Sequence, residues 1–304
     1  MTIFLLVGLS FFVGMLAQRS GLDITRCVAW LNRFIIFVAL PALILLKVPG
    51  LVITPDALFP MLVPWGLMAL SFKLAYTLGK YLGWPAEIRG AAALLMGLGN
   101  TAFFGLPLVD FYLGEQAVPA AVIYDQLGSF LMLSLVATTS IALLLGQREA
   151  IKVKDICWRV LRFPPFLSLI LAVLLPANLL TGGAPQFVAK TFALLGASIL
   201  PLAMLMVGMQ LSVKVVPEQR GPMLVVSAWK LLLTPLLVLA VGRFLAIDSL
   251  VLQPSFLQST MPPMVTPAIM LIGAGIAPRF VATTLGLATL ASFISVPLWC
   301  YWVL

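Results

Sequence analysis

Gly99-Asn100-Thr101-Ala102-Phe103-Phe104-Gly105-Leu106-Pro107-Leu108 interrupts one long apolar stretch, and Thr260-Met261-Pro262-Pro263-Met264-Val265-Thr266-Pro267 interrupts another in the opposite half of the chain. Proline removes an amide donor and glycine weakens a helix, so the backbone at Gly105, Pro107, Pro262, Pro263 and Pro267 is expected to break. In hydrocarbon such a defect persists only where protein buries it or a watery cavity adjoins it. A matched pair of interrupted spans, one in each half, marks the place where a membrane protein of repeated halves holds a substrate or ion.

The surroundings fit a bilayer. The chain has 304 residues, of which 62% are hydrophobic and 9% charged, against about 25% charged in soluble domains. Stretches of roughly 20 apolar residues suit a transmembrane helix. Ten are legible, at about 2–18, 27–47, 58–80, 89–111, 118–146, 163–181, 188–211, 222–245, 250–274 and 279–303. A membrane β-barrel would instead show alternating segments of about ten residues. The sequence therefore predicts an all-α polytopic membrane protein of ten transmembrane helices, with the fourth and ninth broken.

There is no histidine, and Cys27, Cys157 and Cys300 lie far apart. That removes histidine bases, serine-histidine hydrolysis and a cysteine–histidine metal site. No cofactor or metal is expected, and no enzyme activity. The net charge of +8 suggests nucleic acid only until the charges are placed. One set of alternate loops carries Arg19, Arg26, Arg33, Lys80, Arg89, Arg148, Lys152, Lys154, Arg159, Arg162, Lys214, Arg220 and Arg279, while the other carries Lys47, Lys190 and Arg243. The positive-inside rule puts the rich face in the cytoplasm and both termini outside a cell (inner) membrane. Nucleic-acid binding is not expected, since no basic stretch is interleaved with aromatics. Met1-Thr2-Ile3-Phe4 has no basic region, so no cleaved signal is expected.

The longest polar connection runs over Gly146–Arg162 and divides the chain almost evenly. Residues 1–147 hold five spans, 148–162 form a cytoplasmic linker, and 163–304 hold five more. An odd number per half inverts the second half relative to the first. Weak internal similarity supports two inverted five-helix repeats. Ala39-Leu40-Pro41-Ala42-Leu43 matches Ile199-Leu200-Pro201-Leu202-Ala203, and Pro107, Gly114 and Pro119 are spaced much like Pro267, Gly273 and Pro278.

A broken helix exposes carbonyls where its first half ends and amides where its second half begins. The second half's N-terminus carries partial positive charge and suits a carboxylate. Asn100, Thr101, Thr260 and Thr266 supply polar side chains at the breaks, and Phe104 and Met261 supply apolar contact. These six are the candidate substrate-binding residues. Asp125 lies inside the fifth span, where a carboxylate is costly and usually serves ion or proton coupling. Asp125, Gln126 and Lys230 are the candidates for that role. Lys230 has three open readings: pairing with Asp125, facing an anion, or snorkelling to the headgroups.

At these residues the chain resembles the auxin efflux carrier family, which includes plant PIN proteins and bacterial malonate- or malate-type permeases. The resemblance rests on Asn100-Thr101 with Gly105-Leu106-Pro107-Leu108, on Met261-Pro262 with Pro267, and on Lys230 with Pro235. It implies crossing helices 4 and 9, a scaffold of helices 1, 2, 6 and 7, and a transport domain of helices 3, 4, 5, 8, 9 and 10. It also implies a small organic anion as substrate, contact of that substrate with Asn100, and a homodimer formed through the scaffold. Three features depart from the plant pattern. Arg162-Phe163-Pro164-Pro165-Phe166 lacks an asparagine often found there, the long central loop is missing, and Asp125 stands where plant members tend to be uncharged.

The leading expectation is a secondary transporter of an organic anion working by alternating access. Alternatives are a sodium- or proton-coupled symporter of the bile acid type and a membrane sensor that uses the same pocket without transport. A dedicated cation antiporter is disfavoured because neither break carries an acid.

Overall fold

Runs of leucine, isoleucine, valine, alanine and phenylalanine form helices here because a helix satisfies its backbone groups within one segment, as a bilayer demands. The computed structural model describes residues 2–20, 23–49, 55–147, 153–175, 186–210 and 217–304. Arg148, Lys152, Lys214, the start of the 148–162 linker and the end of the sixth span lie outside the described residues.

The helices are α1 (Thr2–Gln18), α2 (Ile24–Lys47), α3 (Pro55–Tyr81), α4 (Ala86–Gly97), α5 (Thr101–Leu113), α6 (Glu115–Leu144), α7 (Val153–Leu161), α8 (Pro164–Leu174), α9 (Gln186–Gln210), α10 (Arg220–Phe244), α11 (Ser249–Ser259), α12 (Val265–Gly273) and α13 (Pro278–Val303). Six of them (α2, α3, α6, α9, α10 and α13) are long and apolar enough to cross a membrane. The linker is not wholly irregular, since α7 occupies Val153–Leu161 within it. Asp23 and Asp248 cap α2 and α11 by accepting from the amides of Arg26 and Leu250, as short polar side chains do at helix starts.

Two interruptions divide what would otherwise be long spans. The pair α4 and α5 is separated at Leu98–Asn100, and α11 and α12 at Thr260–Met264. Pro262 and Pro263 lie in the second gap. Gly105, Pro107 and Pro267 do not form the breaks: they belong to α5 and α12, which begin at Thr101 and Val265. Pro267 is the third residue of α12, where its missing amide has no partner to lose, whereas Pro107, the seventh residue of α5, directly follows the π turn Thr101–Gly105 and the helix continues through it.

The helices pack in two groups. α1 lies along α9, and α2 packs against α8 and α9. Gly14 and Gly208 allow the first contact, because a Cβ on Gly208 would fall 2.1 Å from the Phe11 carbonyl and one on Gly14 2.3 Å from that of Leu205. Small residues at such a seam let membrane helices approach backbone to backbone. The remaining long helices surround the breaks: α3 packs on α4 and α6, α10 on α4 and α11, and α12 on α13.

Several helices widen locally into π turns: Ile35–Ala39 in α2, Thr101–Gly105 in α5, Tyr124–Phe130 and Leu133–Ala137 in α6, and Trp229–Leu233 in α10. A π turn disturbs the regular carbonyl ladder and often accompanies function. Side chains from other helices supply the donors. Trp65 Nε1 donates to the Leu127 carbonyl at 3.1 Å, Trp299 Nε1 to that of Leu231 at 2.8 Å, and Gln258 Nε2 to that of Ala121 at 3.2 Å. The Leu231 carbonyl is open because Pro235, four residues on, has no amide to return to it. Trp299→Phe should therefore cost about 1–3 kcal/mol, the penalty of an orphaned buried acceptor. In a Pro235→Ala background, where a backbone amide returns, the same change should cost less than half as much. Unfolding in detergent measures both; equal losses would show that Pro235 does not open that carbonyl.

Candidate functional site

The two interruptions meet. Asn100 N donates to the Pro262 carbonyl at 2.8 Å, and Met264 N donates to the Leu98 carbonyl at 2.9 Å. Gly99 and Pro263 face each other as an isolated antiparallel bridge. Residues at this type of position send no amide to the partner, so a proline loses nothing there, and the Cα atoms approach closely. Glycine opposite proline is thus the chemistry the crossing needs. Further bonds close it: the Gly99 carbonyl accepts from Thr101 N at 2.9 Å, and the Asn100 carbonyl from Phe104 N and Gly105 N at 3.2 Å.

A belt of buried polar side chains surrounds this point. Asn100, Thr101, Asp125, Gln126, Lys230, Thr234, Gln258, Ser259 and Thr260 are all buried. Thr101 Oγ1 donates to Asp125 Oδ1, and Gln126 Nε2 donates to Asp125 Oδ2 at 2.7 Å. The carboxylate therefore sits at the N-terminus of α5, where the helix dipole favours negative charge. Lys230 is fully buried, which removes the snorkelling reading. Its Nζ lies 3.4 Å from the Ser259 carbonyl, at the C-terminus of α11, and a Cβ on Gly99 would fall 3.0 Å from it. The cation thus occupies the electronegative end of a broken helix. Lys230 and Asp125 do not pair: among the described residues, charged groups come within ion-pair distance only where Lys47 meets Asp110 and Glu115.

The candidate substrate residues divide into two sets. Asn100 and Met261 are buried at the crossing, and the Asn100 side chain does not cap α5. Thr101 is engaged by Asp125, and Thr260 Oγ1 turns back to its own helix, donating to the Leu257 carbonyl at 2.7 Å. Thr266 is half-buried in the first turn of α12. Phe104 lines a cleft of about 70 Å³ between α5, α9 and α13, with Tyr112, Met204 and Ser292. A smaller recess of about 10 Å³ adjoins the start of α12, between Val265, Gln210 and Thr289. Tyr112, Ser292, Gln210 and Thr289 were not singled out by sequence; their only signal is a polar group within an apolar span. Ligand sites generally measure about 300–1,000 Å³, and both recesses fall well below that range. Larger grooves lie elsewhere. One of about 480 Å³ between α3 and α10 is lined by leucine, valine and phenylalanine, with Asp56 its only charged group. It offers a carboxylate nothing, and acyl chains suit it better.

Comparison with known proteins places the chain among membrane transporters. Residues 2–300 match the family described as membrane transport protein. An uncharacterized transporter of Methanothermobacter thermautotrophicus is 26% identical, with 88% of this chain and 87% of the relative aligned. One from Methanocaldococcus jannaschii is 24% identical, with 100% of this chain and 98% of the relative aligned. The chain belongs to this membrane transport family, the auxin efflux carrier family that its break motifs resemble.

The buried ammonium of Lys230 has one long hydrogen bond and no carboxylate partner, an expensive arrangement. Lys230→Met keeps the length and removes the charge. It should stabilise the detergent-solubilised protein by about 1–4 kcal/mol, the range seen when buried charges give way to apolar isosteres. A lower melting temperature would show that the ammonium contributes net stability to the crossing.

Proposed function

We propose that this membrane transporter carries a small organic anion, a carboxylate, by alternating access, with the crossing of the two breaks as its binding site. The observation that supports this best is the pairing of Leu98 and Asn100 with Met264 and Pro262. It brings two helix N-termini, those of α5 and α12, to one buried point, and such ends attract anions.

On this reading the chain forms ten transmembrane units in two inverted five-helix repeats, 1–147 and 163–304. The near two-fold exchange of hydrogen bonds around Gly99 and Pro263 is its local expression. The group α1, α2, α8 and α9 would stand as the scaffold and the site of homodimerisation. The helices around the breaks would travel, in an inner membrane with both termini outside. Asn100 is the best candidate for substrate contact, because its main chain holds the crossing while its side chain is not used to cap α5. Thr266, Met261 and Phe104 would complete the site, and Thr101 and Thr260 would support it from behind.

No phosphate-binding Gly-x-x-x-x-Gly-Lys-Ser/Thr run is present, so the energy must come from gradients. Outward flux of a monoanion gains about 2.3 kcal/mol per 100 mV of inside-negative potential. A second reading, symport with sodium or a proton in the manner of the bile acid type, is favoured by one observation. Asp125 is 2% exposed and, among the described residues, has no cationic partner within ion-pair distance.

Uptake of labelled carboxylates into proteoliposomes, under imposed pH, sodium and voltage gradients, tests the reading. At least one small carboxylate should accumulate. Asn100→Ala should cut its flux tenfold or more, because a hydrogen bond to a charged group contributes about 1.5–3 kcal/mol, while leaving the melting temperature nearly unchanged. Unaltered flux would remove Asn100 from the site.

A further inference from the structure

We infer that Asp125, Thr101, Gln126 and Gln258 form a binding site for a small monovalent cation, sodium in charge and size, and that this ion prepares the crossing for the anion. The last clause rests on the transport reading; the cation site does not.

The first observation is a charge without a counter-charge. Asp125 is buried, and its two carboxylate oxygens accept from Thr101 Oγ1 and Gln126 Nε2, both uncharged donors. Lys230 does not reach it, since its Nζ faces Gly99 and the Ser259 carbonyl. A buried carboxylate with hydrogen bonds alone is unstable relative to one that is neutralised.

The second observation is independent. Gln126 Oε1 and Gln258 Oε1 are buried acceptors without a donor. The first is attached to the same carbon as the Nε2 that holds Asp125. The second belongs to a side chain anchored between the same two helices, one turn further along. Its Nε2 binds the carbonyl of Ala121, four residues before Asp125. Its Oε1 lies against Gly105, four residues after Thr101, where a Cβ would fall 1.8 Å away. One helical turn is about 5.4 Å, so the Gln126 oxygen adjoins the carboxylate and the Gln258 oxygen lies about one turn away along the same pair of helices. Gly105, read from sequence as part of the break, instead makes room for Gln258.

A proton on Asp125 would cancel its charge and, with the Gln126 amide turned over, serve that oxygen, but it would leave Gln258 Oε1 unserved. A cation serves the carboxylate and the neutral oxygens together. Oxygen ligands suit a hard ion. The single negative charge is cancelled by a monovalent ion, whereas a divalent one would leave the Asp125 site itself positive in addition to the charge of buried Lys230. Among the described residues no group of three histidine, cysteine or acidic side chains stands ready for a transition metal.

The consequence concerns the anion. Thr101 is the residue after Asn100, so an ionised Asp125 repels a carboxylate arriving at Asn100. The bound ion cancels that repulsion, and by reciprocity the anion then tightens the ion.

The test uses the purified full-length protein in detergent at constant ionic strength, with sodium, potassium or choline as the only monovalent cation and no organic anion. Sodium should raise the melting temperature saturably by several degrees, as a ligand of the native state does, while potassium and choline should not. Asp125→Asn should abolish the response, and Gln258→Leu should weaken the apparent sodium affinity tenfold or more. Binding of radioactive sodium to wild-type protein checks the site without any variant. Equal melting in the three cations together with no sodium binding would overturn the inference, as would a sodium response kept by Asp125→Asn. Carboxylate flux without any sodium effect would overturn the cation site and leave the transport reading standing. A sodium-dependent shift without flux of any carboxylate would support the site and sink the transport reading.

Discussion

Backbone amides and carbonyls in a hydrocarbon slab must find partners inside the protein, and at the centre of this one they find each other. Leu98–Asn100 and Pro262–Met264 exchange two main-chain bonds across the Gly99–Pro263 bridge. A fragment of β-pairing thus replaces the helical bonds that both segments have given up. The residue types follow from the geometry. Proline is acceptable opposite glycine because that position donates nothing, and glycine is needed because a Cβ there would meet the Lys230 side chain. The polar belt, the π turns and the cross-helix tryptophan bonds complete the backbone accounts of the helices packed around this point.

The bridge relates the two halves, yet they are not chemically equivalent. Counting outward from Gly99 and Pro263, Asn100 corresponds to Met264 and Thr101 to Val265. The first half's helix start carries an amide and a hydroxyl, and the second carries apolar side chains. Buried charges divide accordingly. Asp125 attends the N-terminus of α5, and Lys230 the C-terminus of α11, each complementing a helix dipole. One acidic and one basic group are held in the interior apart from each other, each stabilised by a helix end. That leaves the α12 N-terminus without a charged side chain.

Composition and apolar length made the membrane architecture legible, and the clusters of glycine and proline located both breaks to within a few residues. Their positions were misjudged for a physical reason. Proline occurs at a break, in the first turn of a helix (Pro267) and within one (Pro107), so Pro107 and Pro267 do not mark the gaps at Leu98–Asn100 and Thr260–Met264. The internal repeat was aligned on helix ends rather than on the gaps, and α5 (Thr101–Leu113) is four residues longer than α12 (Val265–Gly273). Asp125 stood out because an acid in an apolar span is rare. Its partner Thr101, 24 positions earlier, could not be read, because nothing local ties the two. The π turns and the tryptophan donors carry no sequence mark. Lys230 was ambiguous because its stem is long enough for either burial or snorkelling.

The distribution of bond strength constrains how the proposed movement can occur. Within the group around the breaks, apolar packing is joined by buried hydrogen bonds between main chain and polar side chains, and breaking these in a low-dielectric interior leaves donors and acceptors unserved, at about 1–3 kcal/mol each. Between that group and α1, α2, α8 and α9 the contacts differ. The seam is a mostly apolar cleft lined by Phe104, Met204 and Phe293, with Tyr112 and Ser292 among its polar groups, and apolar surfaces slide without losing directional bonds. Its ion pairs among the described residues are those of Lys47 with Asp110 and Glu115, at the ends of α2 and α5 and the start of α6. Glu115 is 79% exposed, and ion pairs open to water contribute only about 0–1 kcal/mol. On the transport reading, a group whose internal bonds cost more to break than those that attach it would move as one body. The crossing would travel intact with its guest rather than unwind to release it.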